Sequence, residues 1–590
     1  MKRIRFLLFS CLFPLLYACA ASAPEPVPVT DVTAAAEAVE LAAAVPPASP
    51  QESVEEVEEI EYRNFTKDQL YAALVSELSG QRGDLEGAAD SYFDLAFDTR
   101  DINVIMRAIQ IASYGGDTNA VLQLGLLWAE IMPEAVDPHM MLSYQFLESS
   151  RFDEALTHMS RVIELGGRID FGNLSSRTVN LSATERSQLI ETLRQLHTRY
   201  PAQDSIQFAV IELLDQNQQS ALALEELQLL KDAIGPTATT AMIEAQLLQS
   251  LGHEEDALTV LRQAVSDYPE NSAVRVNLAR LLLQDQEFAE ARAQFQTLLE
   301  MNPRDFETLY SIALLDVEME NYDQARQVFN RLLNVNHRTD ESHYYLGVVS
   351  GEQGRVNEAI SHYERVQMGT NNFLAAQQQA TELLVANGRL EEAAQRLSRL
   401  AQGQPRLEAL FVRLEAGTLL QHDYLQEAET LLSEALDKYP NDPDILFSRV
   451  FLYDRLGDLA GAERDLRQII SLRPDDPAAL NHLGYMLADR TERYSEALDL
   501  VERAIALSPE DPAIIDSLGW AQYKLGDYDA ALANLRRAFA AFPDHEVASH
   551  LGEVLWVMGE RREATRVWEE ALEEQPDSEL LKEVMERFDP

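Results

Sequence analysis

Beyond residue 19 the sequence has no cysteine: its two, Cys11 and Cys19, both lie in the first twenty residues. The body of the chain therefore forms no disulfide, binds no metal through thiolate and offers no thiol nucleophile. Basic residues are scarce as well, with 48 Lys+Arg against 98 Asp+Glu and a formal net charge of -50 over 590 residues. So acidic a chain repels polyphosphate backbones and anionic lipid surfaces, which disfavours nucleic-acid binding. The carboxylates name no partner, because solvated helix faces account for most of them. Gly-Lys-Ser and Gly-Lys-Thr do not occur, so no phosphate loop is offered. His545 and His550 stand five apart, whereas a zinc-protease helix needs a spacing of four to put both imidazoles on one face. Paired carboxylates are too common here to point to acid-base chemistry. Neither an enzyme nor a cofactor or metal site is expected.

Long apolar runs are also missing. Phe6 to Ala18, behind Lys2, Arg3 and Arg5, is too short to span a bilayer and has the form of a secretion signal. It ends Leu16-Tyr17-Ala18-Cys19, which resembles the lipobox of bacterial lipoproteins. That resemblance implies cleavage after residue 18 and acylation of Cys19, with more than one chain needed for stable anchoring. Ala20 and Ala21 follow without a retention aspartate, which by the family rule implies the outer membrane. The competing site, Ala21-Ser22-Ala23, would release a soluble periplasmic protein.

From residue 19 to 61 the chain is rich in Ala, Pro, Val and Glu and has no aromatic side chain, so it cannot build a core. As a coil of about 42 residues it would span roughly 35 Å on average and at most about 140 Å. This stretch reads as a tether.

The rest of the chain is repetitive. Alanine recurs at Ala223, Ala257, Ala291, Ala325, Ala359 and Ala393 in steps of 34, then at Ala428, Ala462, Ala497, Ala531 and Ala564. Four residues on stands a large apolar side chain, as in Phe295, Tyr363, Leu397, Leu535 and Trp568, and seven on another apolar or small one. Those spacings lay one face of a helix against a neighbour. Proline twelve residues on, from Pro269 and Pro303 through Pro405 and Pro440 to Pro576, is expected to end each helix and start the next unit. Small residues twelve upstream, such as Gly347, Gly519 and Gly552, let a partner helix approach, and Gly354, Gly457 or Gly526 supplies the turn. Weaker copies run back through Ala155, Ala120 and Ala88, with Gly166 to Val179 departing from the pattern.

This is similar to the tetratricopeptide repeat, clearest in Asp516-Ser517-Leu518-Gly519-Trp520 and Gly526 to Ala531. It implies an all-α solenoid of helical hairpins: degenerate repeats over 62–200, a regular array over 201–576 and a capping helix over 577–590. First helices of such hairpins line a concave, peptide-binding surface. By register that lining includes Tyr310, Tyr344, Phe447, Phe451 and Asn481, then Tyr485, Asp516, Trp520, Tyr523 and Trp556, with Trp520 and Tyr523 the leading candidates. Leu70-Tyr71, Leu78 to Gly83 and Thr99-Arg100-Asp101, with Asn481 through Phe539, resemble a family of proteobacterial outer-membrane tetratricopeptide lipoproteins. The resemblance implies a periplasm-facing adaptor for a carboxyl-terminal processing protease and its peptidoglycan hydrolase clients. A scaffold for cell-wall synthesis or outer-membrane assembly is the alternative.

Overall fold

A computed structural model describes residues 65–588, so the signal, Cys19 and the tether lie outside the described residues. Among the described residues every regular element is helical, and no helix is long and apolar enough to cross a membrane. The chain divides into two compact units, Met1–Asn321 and Tyr322–Pro590.

In the first unit, Lys67–Gln81 pairs with Leu85–Thr99, Ile102–Gly115 with Thr118–Ile131, and Val136–Glu148 with Phe152–Glu164. The stretch 166–179 that breaks the repeat is packed, not loose. Phe171 and Leu174 are fully buried, a short helix Asn173–Arg177 forms, and the Thr178 hydroxyl donates to Gln216 Oε1 at 2.9 Å. An additional helix, Ala183–Arg199, then packs on Asp204–Gln216, which pairs with Ser220–Ile234. Hairpins Ala238–Ser250/Glu254–Asp267 and Ser272–Gln284/Phe288–Met301 come next, and Phe306–Glu318 ends the unit.

The second unit starts with Tyr322–Asn334 and continues in hairpins Thr339–Glu352/Val356–Tyr363, Phe373–Ala386/Leu390–Ala401 and Pro405–Gln421/Leu425–Lys438. Pro443–Leu456/Leu459–Leu472, Pro477–Arg490/Tyr494–Leu507, Pro512–Leu525/Tyr528–Ala541 and His545–Val557/Arg561–Glu574 complete the series. Helix Glu579–Phe588 closes the unit on buried Leu581 and Val584.

The eleven periodic alanines, from Ala223 to Ala564, are all 0 % exposed, and the large residues four positions on are buried with them. Several hairpins are held by a size match across their two helices. A Cβ on Gly552 would lie 1.9 Å from Trp568 Nε1, one on Gly519 2.7 Å from Leu535 Cγ, and one on Gly347 2.5 Å from the Tyr363 ring. Only the absence of a side chain on one helix admits the bulk on the other.

Two expectations from register need correction. Helix Thr118–Ile131 is capped by Asp117, so Val121 and not Ala120 takes the buried place. Pro405 starts the next unit as expected, where a missing N–H costs nothing, but it does not itself end the preceding helix, which already stops at Ala401.

Polar pairs also cross the hairpins. His139 meets His158 through their Nδ1 atoms at 2.9 Å, and His343 meets His362 in the same way at 3.2 Å. Burial, then the neighbouring imidazole, pushes both His158 and His362 down to about 4.

Gly552→Ala is expected to lower stability by about 1–3 kcal/mol through overpacking, even though alanine is the better helix former; denaturant unfolding checks this. Because His158 and His362 hold their protons less tightly folded than unfolded, their contribution is full above about 6.5 and declines as pH falls toward about 4. The double variant His158→Gln/His362→Gln should therefore lose less melting temperature between pH 7 and pH 4.5 than the parent.

Candidate functional site

In the second unit, first helices of successive hairpins lie side by side, Pro443–Leu456 on Pro405–Gln421 and Pro512–Leu525 on Pro477–Arg490. The closely packed position on each, Ala416, Val450, Gly484, Gly519 or Gly552, faces its own hairpin. The residue just after it points along the row of first helices: Gly417, Phe451, Tyr485, Trp520 and Glu553. One face is built from these positions and those three or four away.

At Pro443–Leu456 that face is aromatic and open. Phe451 is 49 % exposed and Phe447 half-buried, their ring centroids 5.3 Å apart. His482, on the next first helix, stands edge-on to both at 5.8 Å and is held by Asp454 through Nε2 at 2.8 Å. Half-buried Asn481 keeps a side-chain oxygen with no hydrogen-bond partner.

Toward the C-terminus the same face turns inward. The Tyr485 hydroxyl donates to Glu546 at 2.5 Å, and burial, then that carboxylate, raises its pKa well above the ordinary tyrosine range. Asp516 and His550 form a buried pair, Oδ2 to Nδ1 at 2.9 Å. Burial pulls the imidazole down, but Asp516, Glu546 and Asp489 together raise it. Trp520 stacks on His550 at 4.0 Å and on Tyr523 at 5.1 Å, its indole N–H donates to Asp489 at 3.3 Å, and Lys524 Nζ lies 4.3 Å over its ring. Enclosed in this way, the Asp516–His550 pair presents no reactive atom to a substrate. His545 instead meets the Ser578 hydroxyl at 2.9 Å. Among the described residues no group of three or more His, Cys, Asp or Glu is arranged to hold a metal ion.

The sequence-derived surface thus divides. Phe447, Phe451, Asn481, Tyr485 and Tyr523 lie on the first-helix row with some surface open. Tyr344 is half-buried against Tyr345 and Tyr363, and half-buried Trp556 packs on Trp568 and Phe588. Tyr310, Asp516 and Trp520 are corrections: at 3–5 % exposed they are buried and offer a partner almost no surface. For Trp520 the cause is His550, which the following hairpin lays over its ring. His482 and Asp454 belong to the open patch and escaped the sequence reading, because a histidine and an aspartate on a helix carry no periodic signal. A second exposed apolar surface lies on the first helix of the first unit, where Leu70, Tyr71, Leu74 and Leu78 are all more than half exposed.

The tetratricopeptide repeat profile matches residues 248–307, 282–346 and 522–587, and a second profile of the same repeat matches 382–443 and 452–512. A TPR repeat-containing protein of Pseudomonas aeruginosa is 36 % identical over 510 residues, 86 % of each chain. The chain belongs to the tetratricopeptide repeat proteins. Tetratricopeptide repeats are generally non-catalytic scaffolds that bind proteins, and no enzymatic family is indicated. Among solved structures, the Naa15/Naa10 complex bound to HypK-THB aligns at 15 % identity over 86 % of this chain and 81 % of that one, with a TM-score of 0.35. A tetratricopeptide repeat protein of Parabacteroides merdae aligns at 16 % identity over 43 % of this chain and 100 % of its own, with a TM-score of 0.33.

Buried and open aromatics should respond differently. Trp520→Ala is expected to cost about 3–5 kcal/mol, whereas Phe451→Ala stays within about 0.5 kcal/mol. Denaturant unfolding monitored by circular dichroism distinguishes them; equal losses would contradict the assignment of the two faces.

Proposed function

We propose that this tetratricopeptide protein is a lipid-anchored adaptor on the periplasmic side of the outer membrane. It holds periplasmic proteins, a carboxyl-terminal processing protease and its cell-wall hydrolase clients, and performs no chemistry itself. The open face of Phe447, Phe451 and His482 beside Asp454 carries this reading, since exposed aromatic rings flanked by fixed polar groups are the side chains that interfaces use. An adaptor needs two surfaces. The apolar face of Leu70, Tyr71, Leu74 and Leu78 lies in the stretch that resembles the adaptor lipoproteins and offers the second. The N-terminal pattern ending in Cys19 supports the anchor, and the tether length would let the body stand off the membrane.

A scaffold for peptidoglycan synthesis or outer-membrane assembly would use the same surfaces with different partners. Affinity purification from detergent-solubilised envelopes separates the readings. A serine protease of the carboxyl-terminal processing class in the eluate, together with murein hydrolases, is the expected result. Synthases or assembly factors without a protease would overturn the adaptor reading in favour of the scaffold.

A further inference from the structure

The apolar face of Lys67–Gln81 is open because one helix is missing from it. Ser76 is buried twelve residues before Ala88, as Gly519 is before Ala531 and Gly552 before Ala564. Counted from that small residue, Tyr71 stands five before and Leu78 two after. In later first helices both positions are buried, as Val274 with Leu281, Ser342 with Val349 and Val547 with Val554 show. Here Tyr71 is 70 % exposed and Leu78 51 %. The second helix of the preceding hairpin makes the difference: Val547 packs with Ala538 and Phe539 of Tyr528–Ala541. Among the described residues nothing precedes Lys67–Gln81 to do the same.

The sequence just upstream has the register of that helix. Ser53 stands 35 positions before Ala88, the step that also separates Ala393 from Ala428. Val57 four on and Ile60 seven on take the places that Leu535 and Ala538 hold after Ala531. Pro50 stands three before Ser53, just as Leu85 and Tyr528 open their helices three before Ala88 and Ala531. Thr66, the N-cap of Lys67–Gln81, stands thirteen after Ser53, as the caps Asp101 and Asp544 stand after those alanines. Ser49-Pro50-Gln51-Glu52 has the residues of a capping box with proline at the first helical position. On a helix, Ser53, Val57 and Ile60 share one stripe, and Glu52, Glu55, Glu58 and Glu59 fall on the far side. Such a stripe builds no core alone but completes one against an apolar face.

We propose that residues 50–62 dock in cis over Tyr71 and Leu78 as the second helix of an incomplete repeat and close the N-terminal end of the array. So short a helix draws its stability from packing, so it forms as it docks. The four residues 63–66 join it to Lys67–Gln81, the same number that joins Asp267 to Ser272, and so short a link gives the segment a high effective concentration at the face. The face offered to a second partner is thus held by a built-in competitor, which the partner displaces to bind, and the free tether shortens to residues 20–49. That competition rests on the adaptor reading; the docked helix does not.

Hydrogen exchange on the detergent-solubilised full-length protein reads the docking without any partner. Amides of 50–62 should exchange about tenfold or more slowly than those of 25–45. In Val57→Glu/Ile60→Glu, which alters no residue of the described hairpins, that slowing should vanish and 67–81 should exchange faster. Equal exchange in 50–62 and 25–45, or slowing that survives the double variant, would overturn the docking. Slowing that appears only at concentrations where the protein dimerises would overturn it too, giving the face to a second copy. From envelopes, the double variant should recover severalfold more protease than the parent. Equal recovery beside a protected 50–62 would strike the competition and leave the docked helix. Protection with no protease in either eluate would sink the adaptor reading alone.

Discussion

The structure depends on a size match repeated along the chain: a small residue on one helix of a hairpin against a large one about 16 positions later on its partner. Gly347 with Tyr363, Gly519 with Leu535 and Gly552 with Trp568 are its tightest instances. Contacts of this kind are short in sequence, so each hairpin forms from local interactions and is then stabilised by its neighbours. Function inherits that geometry. With the large-residue side of the second helix and the small-residue side of the first committed to packing, the remaining face of the first helix is left to meet a partner.

That free face is not uniform, and the difference between its parts is a matter of what the next hairpin supplies. Around Phe451 the neighbour offers His482 edge-on, leaving ring surface in solvent. Around Trp520 the neighbour offers His550 face-on, with Asp516 behind it and Lys524 in front. The same helical position is thus open to solvent in one repeat and enclosed two repeats later. Buried polar pairs such as Asp516–His550 are expensive unless fully hydrogen-bonded, and here the imidazole and carboxylate satisfy each other.

Much of this was legible in the sequence. Every alanine that the period picks out from Ala223 to Ala564 is buried, and the turn glycines Gly354, Gly457 and Gly526 do adopt positive φ. Gln286, Glu320 and Asp423 adopt the same left-handed turn without being glycine, so turn positions were visible only where evolution had used the unstrained residue. Val121 in place of Ala120, and Pro405 at a helix start, show that a one-residue shift or a shortened helix is invisible to a fixed period. The exposure of Trp520 was misjudged because periodicity reports a residue's own helix face, whereas burial there is decided by a side chain 30 positions later in the chain.

Whether the protein binds its partners through the first-helix face of its second unit is tested most directly by site-specific photo-crosslinking in intact cells. A benzophenone amino acid at the open position Phe451 should give discrete partner adducts, and the same group at Arg464, exposed on the second helix of that hairpin, should give none. Adducts from Arg464 alone, or equal yields from both sites, would contradict the account.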